Sequence, residues 1–124
     1  MQHALKWFEI PVADMERARK FYSNLLNIQL EDLELANQLK MALFPAEEGK
    51  VSGALCYYPG FYKPSAEGVT IYLNADPDLA IALEKLEGLG GKLIVPKNQI
   101  SEERGYMSII MDTEGNRIGL MSRN

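Results

Sequence analysis

The feature that most constrains this sequence is an order of predicted elements that occurs twice. In each half, a short run rich in β-branched and aromatic residues precedes an amphipathic helix, and three more strand-like runs follow. The two predicted helix caps, Asp14 and Asp76, lie 76 − 14 = 62 positions apart, which is half of the 124 residues. The repeat therefore predicts an α+β fold of two tandem βαβββ modules.

The two helices are predicted from the spacing of their apolar residues. In Met15–Leu26, apolar residues recur at intervals of three and four, and Asp14 stands at the N-cap position. The second helix is predicted over Pro77–Gly88, with Asp76 as its N-cap and the proline in its first turn.

The strands are predicted from β-branched and aromatic runs bounded by turn residues. Trp7–Ile10 and Val69–Leu73 are the first strands of the two modules. The remaining strand-like runs are Ile28–Leu30, Leu39–Phe44, Gly53–Tyr58, Lys92–Val95, Tyr106–Met111 and Arg117–Met121. Residues 1–124 thus form one predicted domain, with module 1 at about 4–58 and module 2 at about 67–122. One face of each module is covered by its helix, so a curved mixed sheet with a cleft between the modules is expected.

Composition restricts the partners and the chemistry. With 17 acidic and 13 basic side chains, the formal net charge of −4 argues against a nucleic-acid partner. No apolar run approaches the roughly 20 residues that span a bilayer, and the N-terminal residues do not resemble an export signal. We therefore expect a cytoplasmic protein with no membrane partner. One histidine, His3, and one cysteine, Cys56, exclude a multi-His metal centre or an intramolecular disulfide within a single chain.

Several motifs resemble those of the vicinal oxygen chelate superfamily. The segment Phe8–Ala18 is similar to the start of the first module of that superfamily, and Gly68–Leu73 and Asp112–Leu120 follow in family order. The superfamily includes glyoxalase I, the bleomycin-resistance proteins and the extradiol dioxygenases. The chain looks closest to the small bacterial glyoxalase-related proteins of unassigned activity. The resemblance covers nearly the whole chain and implies the two-module fold, but one scaffold serves several chemistries.

The resemblance also identifies positions that hold a metal ion in metal-dependent members. These positions, on the first, fourth, fifth and eighth strands, correspond here to Trp7, Leu55 or Cys56, Val69 or Thr70, and Gly119. An indole, an isopropyl group and a glycine provide no donor for a divalent cation. We therefore predict no metal and no cofactor, and we do not expect glyoxalase I or extradiol dioxygenase activity.

Glu9 is the candidate catalytic residue. Because side chains alternate along a strand, Trp7 and Glu9 are predicted to point into the cleft, and Phe8 and Ile10 to pack beneath the helices. Loss of hydration in an apolar cleft would favour the protonated carboxyl and make Glu9 a general acid or base. Alternatively, Glu9 lies at an open edge or pairs with one of four arginines: Arg17, Arg19, Arg104 or Arg117.

The cleft is predicted to bind a small molecule through eight residues: Trp7, Met41, Cys56, Tyr58, Val69, Ile71, Gly119 and Met121. Each has a structural alternative. Trp7 either stacks on a planar ligand or fills the former metal position. The methionines either contact ligand or belong to the core, and apolar neighbours favour a buried, inert Cys56 thiol over a nucleophile. The aromatic cluster around Pro59 consists of Tyr57, Tyr58, Phe61 and Tyr62. It forms a cleft wall, or else a homodimer interface or loop packing.

The polar segment Lys97–Gly105 has two interpretations. It is either a lid over the cleft or a solvent-exposed hairpin.

The leading functional hypothesis is a homodimeric protein that binds a small apolar or aromatic molecule without a metal. The alternative is a metal-independent lyase or isomerase related to lactoylglutathione lyase, which uses Glu9 together with a tyrosine. A third hypothesis is an interaction module whose cleft is filled by its own side chains.

Overall fold

The computed structural model describes residues 3–35 and 38–124. Module 1 consists of β1 (Trp7–Pro11), α1 (Met15–Leu26), β2 (Glu31–Glu34), β3 (Lys40–Leu43) and β4 (Ser52–Tyr57). Module 2 consists of β5 (Tyr72–Asn74), α2 (Ala80–Leu86), a 3-10 turn (Glu87–Leu89), β6 (Lys92–Ser101), β7 (Gly105–Met111) and β8 (Arg117–Ser122). The strand orders are β1-β4-β3-β2 and β5-β8-β7-β6, so the predicted pair of βαβββ modules is confirmed.

The two sheets are built in the same way. The first strand of each module runs parallel to its last strand, and the other neighbouring strands are antiparallel. In the described part of the chain, neither helix has the length and apolar character needed to cross a membrane.

Helix α1 has the predicted bounds. The Asp14 carboxylate accepts a hydrogen bond from the Arg17 N–H at 3.1 Å and so caps the helix. The helix ends at Asn27, whose φ of 54° lies in the left-handed region. Its apolar stripe is buried in a core that both modules share.

Helix α2 begins later than the sequence predicts. It starts at Ala80, and the Asp78 carboxylate accepts the N–H of that residue at 2.9 Å. Asp76 was predicted as the cap, but its carboxylate instead accepts the backbone N–H of Arg123 at 2.8 Å. The prediction was wrong because the partner of Asp76 lies near the C-terminus, where a local pattern gives no sign of it.

Three strands also differ from their predicted bounds by more than one residue at an end. The predicted strand Ile28–Leu30 is an irregular segment that packs Ile28 and Leu30 on the core, and β2 follows it. Strand β5 starts at Tyr72, although the Ile71 carbonyl still accepts the Gly119 N–H at 2.8 Å. Strand β6 continues to Ser101, so the polar segment Lys97–Gly105 forms the β6–β7 hairpin of the second interpretation.

The turn between β7 and β8 joins the two modules. The Glu114 carboxylate accepts the N–H groups of Ala13 and Asp14, at 2.8 and 2.9 Å, and is 2.7 Å from the Arg17 Nε. Asn116 donates from its side chain to the Pro11 carbonyl at 2.8 Å. The buried Asp112 carboxylate accepts the Tyr22 hydroxyl of α1. These contacts fix module 2 against the start of α1.

Candidate functional site

The candidate site begins with a carboxylate on β1. Glu9 Oε1 accepts the Tyr62 hydroxyl at 2.7 Å, and Glu9 Oε2 accepts the Trp7 indole N–H at 3.3 Å. Ile10 is buried in the core, whereas Trp7 is 43% exposed, so the alternation predicted for β1 is confirmed. We call Trp7, Glu9, Cys56 and Tyr62 the β1 cluster.

Cys56 lies on β4 beside β1 and is fully buried. Burial, together with the nearby charge of Glu9, raises the pKa of the Cys56 thiol to about 12. The hydrogen bond to Glu9, together with burial, likewise raises the pKa of the Tyr62 hydroxyl. Both groups are therefore protonated near neutral pH, and Cys56 is poorly suited to act as a nucleophile.

Of the environments predicted for Glu9, the structure fits the open edge, because β1 lies at an edge of its sheet. The Glu9 side chain is exposed rather than enclosed in an apolar cleft. Within the described ranges, none of the four candidate arginines has a guanidinium nitrogen within 4.0 Å of its carboxylate. Neutral donors orient Glu9 instead, and they leave its negative charge without a positive partner.

The residues at the former metal positions do not fit a metal ion. Across residues 3–35 and 38–124, no three His, Cys, Asp or Glu side chains come together as a ligand set. The Trp7 N–H is directed to Glu9, and Val69 is 91% exposed. The Tyr72 ring covers Gly119, since a Cβ added there would lie 2.3 Å from a ring carbon. The side chains at these positions therefore provide no set of donors for a divalent cation.

The structure separates the predicted ligand-binding residues into groups. Met41 pairs directly with Cys56 across β3 and β4, so it shares the sheet face of the β1 cluster, and Tyr58 follows β4. Gly119 and Met121 pair with Tyr72 and Asn74 in module 2. Val69 and Ile71 line two cavities between the modules. In the described part of the chain, the eight residues therefore fall into separate groups.

A cavity of about 680 Å³ lies between the modules. We call it the inter-module cavity. Module 1 contributes Phe8, Leu26, Ile28 and Phe44 among its lining residues, and module 2 contributes 69–74. Because Phe8 points away from Glu9 on β1, this cavity lies on the opposite sheet face from the β1 cluster.

Sequence reasoning missed the individual role of Tyr62. It placed Tyr62 in the aromatic cluster, but Glu9 is 53 positions away and no local pattern links the two. The only available signal was an aromatic hydroxyl in a loop that follows the strand adjacent to β1.

The sequence matches the family described as "Glyoxalase/Bleomycin resistance protein/Dioxygenase superfamily" over residues 4–120. The chain therefore belongs to this superfamily. A search of curated proteins finds no match.

Solved structures share the fold at low sequence identity. A glyoxalase/bleomycin resistance protein from Streptomyces sp. CB03234 is 23% identical with a TM-score of 0.70, and the match covers 96% of this chain and 100% of that one. TnmS3, an antibiotic binding protein from the same organism, is 21% identical with a TM-score of 0.68, covering 100% and 98%. Glyoxalase I from Zea mays is 22% identical with a TM-score of 0.65, covering 94% of this chain and 45% of that one.

Proposed function

We propose that this protein binds a small, largely apolar or aromatic molecule in the inter-module cavity, without a metal ion. The observation that carries the proposal is the cavity itself. Its volume of about 680 Å³ falls within the range of roughly 300–1,000 Å³ found for small-molecule sites. The third hypothesis, a cleft filled by its own side chains, is not favoured by a cavity of this size.

The cavity walls suit an aromatic ligand. The rings of Phe8 and Phe44 lie 5.2 Å apart at an angle of 56°, and both line the cavity. Aromatic side chains provide large apolar contact areas with defined stacking geometry. Ser52, Thr70 and Asn74 add a few polar groups that can orient a ligand.

The family provides further support. One protein with this fold is an antibiotic binding protein, and its structure matches this chain over its whole length. A small organic molecule is therefore a reasonable ligand class for this scaffold, although the lining residues must determine its identity.

We also propose that two copies of the chain associate and that the protein acts in the cytoplasm. Trp7, Leu33 and Tyr72 expose apolar surface to solvent, and exposed apolar surface of this kind favours association. A chain with a single cysteine gains no intramolecular disulfide from an oxidising compartment. Light scattering should give twice 13.9 kDa, and a mass of 13.9 kDa would contradict the homodimer.

A titration with 8-anilinonaphthalene-1-sulfonate tests the proposed binding. Val51→Trp places a large side chain in the cavity, and Ile81→Trp places the same side chain on the exposed surface of α2. We expect one-to-one binding whose affinity falls about tenfold or more in Val51→Trp and is unchanged in Ile81→Trp. Equal affinities in both variants, or a stoichiometric metal ion found by native mass spectrometry, would contradict the proposal.

One contact favours a second candidate function. The Tyr62 hydroxyl lies 2.7 Å from Glu9 Oε1, and this contact is a carboxylate–tyrosine pair of the kind that the lyase or isomerase alternative invokes. In this alternative, Glu9 accepts a substrate proton. Glu9→Gln then abolishes turnover of the hemithioacetal formed by methylglyoxal and glutathione, but preserves the fold and dye binding. The same turnover in wild type and Glu9→Gln would exclude it.

A further inference from the structure

A second and smaller cavity lies beside β1, an edge strand of its sheet. Its volume is about 220 Å³, and its lining comes from β1, from the segment before β5 and from the start of β8. We call it the charged cavity. Val69 and Ile71 line both this cavity and the inter-module cavity, so the two are neighbours.

Charges of both signs line the charged cavity. The charged residues Glu9, Lys63 and Arg117 are among its lining residues. Within the described ranges, none of the three has an ion-pair partner within 4.0 Å, and they do not pair with one another. The cavity therefore holds separated opposite charges that the fold itself does not neutralise.

Neutral contacts hold Glu9 and Arg117 in place. Arg117 Nε donates to the Thr70 hydroxyl at 3.2 Å, and its Nη2 donates to the Gly68 carbonyl at 3.3 Å. Glu9 accepts from the hydroxyl and indole donors of the β1 cluster. These bonds orient both groups but leave donor and acceptor capacity, since a guanidinium has five N–H groups and a carboxylate about four acceptor sites.

The remaining lining is mainly apolar. Ile10 and Ile118 are buried, and Ile71 is partly buried against the core. The Asn116 side chain also lines the cavity, but it donates to the Pro11 carbonyl and accepts the Ser65 N–H, at 2.8 and 3.0 Å. The hydrogen-bonding groups of Asn116 are therefore largely occupied, and the charged groups are the main polar groups available to a ligand.

We propose that the charged cavity binds a small zwitterion, namely an α-amino acid or a related amino carboxylate with an apolar side chain. The ammonium group lies toward Glu9, the carboxylate lies toward Arg117 and Lys63, and the side chain contacts the isoleucines. Charge-assisted hydrogen bonds of this kind are short and strong. A volume below the usual range for drug-sized ligands matches a molecule of amino-acid size. This inference does not depend on the proposed function, since it concerns a different cavity and a different ligand class.

Calorimetric titrations with three related probes test the proposal. L-leucine carries both charges, isopentylamine lacks the carboxylate, and isocaproate lacks the ammonium group. We expect L-leucine to bind, and each singly charged probe to bind about tenfold more weakly or worse. If L-leucine does not bind, or binds no more tightly than both singly charged probes, the proposal is wrong.

Two substitutions test which residue contacts the ammonium group of the ligand and which contacts its carboxylate. Glu9→Gln should weaken L-leucine and isopentylamine by about tenfold and leave isocaproate unchanged, because only the first two carry an ammonium group. Arg117→Gln should weaken L-leucine and isocaproate and leave isopentylamine unchanged. If Arg117→Gln does not fold, Lys63→Gln tests the same cationic side of the charged cavity, since Lys63 is exposed. Glu103→Gln, at the tip of the β6–β7 hairpin, removes the same charge elsewhere as a control.

The outcomes separate this proposal from the proposed function. Glu9→Gln variants that lose affinity equally for all three probes would show a general effect on the fold and would overturn the charge assignment. Loss of L-leucine binding in Val51→Trp, with binding kept in Glu9→Gln, would place the ligand in the inter-module cavity and overturn the proposal. Absence of dye binding with normal L-leucine binding would overturn the proposed function alone.

Discussion

The turn between β7 and β8, which we call the junction turn, is organised around an acidic side chain, and so is the β1 cluster. The surroundings of the two acidic side chains are opposite. Asp112 is buried and accepts four hydrogen bonds, from the backbone N–H groups of Glu114 and Asn116, the Asn116 side chain and the Tyr22 hydroxyl. Glu9 is exposed and accepts two. Asp112 therefore has its acceptor sites occupied from within the fold, whereas Glu9 has capacity left.

This difference indicates how to separate structural acids from candidate binding acids in a single chain. A buried polar group whose partner is removed costs the full desolvation penalty of the groups left behind. An exposed group that loses its partner can form a hydrogen bond with water instead, so the free energy of unfolding changes little. Substitutions at the junction should therefore change stability, and substitutions in the β1 cluster should change binding.

The largest effect is expected at Asp112. Asp112→Ala leaves the buried Tyr22 hydroxyl and the Asn116 side chain without an acceptor. We expect the free energy of unfolding to fall by about 3 kcal/mol in urea titrations. A loss below about 1 kcal/mol would show that water replaces the carboxylate and would remove the contrast with Glu9.

A smaller effect is expected at Glu114. Glu114→Gln can still accept the N–H groups of Ala13 and Asp14, but it loses the charged contact with Arg17. The free energy of unfolding should fall by about 2 kcal/mol. Arg19→Gln is the matched control, since Arg19 contacts Asp32 at 3.6 Å with both side chains exposed, and its loss should cost less than about 0.5 kcal/mol.

The pH dependence of stability tests whether Glu114 stabilises the fold in its ionised form. Burial alone would raise the pKa of Glu114, but Arg17, the Asp14 and Ala13 N–H groups and the Thr113 hydroxyl together lower it below its ordinary value of 4.5. A lowered folded-state pKa contributes stability that is present above 4.5 and is lost as the pH falls through the folded-state value. The stability difference between wild type and Glu114→Gln should therefore shrink in acid. A difference that stays constant down to about pH 2 would contradict this.

The smallest effect on stability is expected in the β1 cluster. Glu9→Gln preserves the size of the side chain and keeps an acceptor for Tyr62. The free energy of unfolding should change by less than about 0.5 kcal/mol. Thermal melts of Glu9→Gln and Tyr62→Phe provide the check, and a loss comparable to that of Asp112→Ala would make Glu9 a structural residue.

Local sequence patterns were sufficient for helix α1 but not for helix α2. The apolar spacing of α1 and the carboxylate of Asp14 act within a few residues, so both were predicted correctly. Asp76 has an equally good local pattern, but the Arg123 N–H binds it from 47 positions away. The repeat predicted the order of elements, but it could not predict the bounds of β2, α2 or β5.

The candidate sites depend still more on distant residues. Glu9 and Trp7 share a face through strand alternation, which the sequence predicts. The contact of Tyr62 with Glu9 depends on the path of the chain after β4, and the placement of Arg117 depends on β8 packing near β1. Neither follows from a pattern within one segment.

The most direct measurement is a crystal structure of the protein with 8-anilinonaphthalene-1-sulfonate bound. The account predicts ligand density in the inter-module cavity, with the dye rings against Phe8 and Phe44, and no ion bonded to the side chains of Trp7, Cys56 or Thr70. A dye seated elsewhere, or an ion coordinated at those positions, would contradict it.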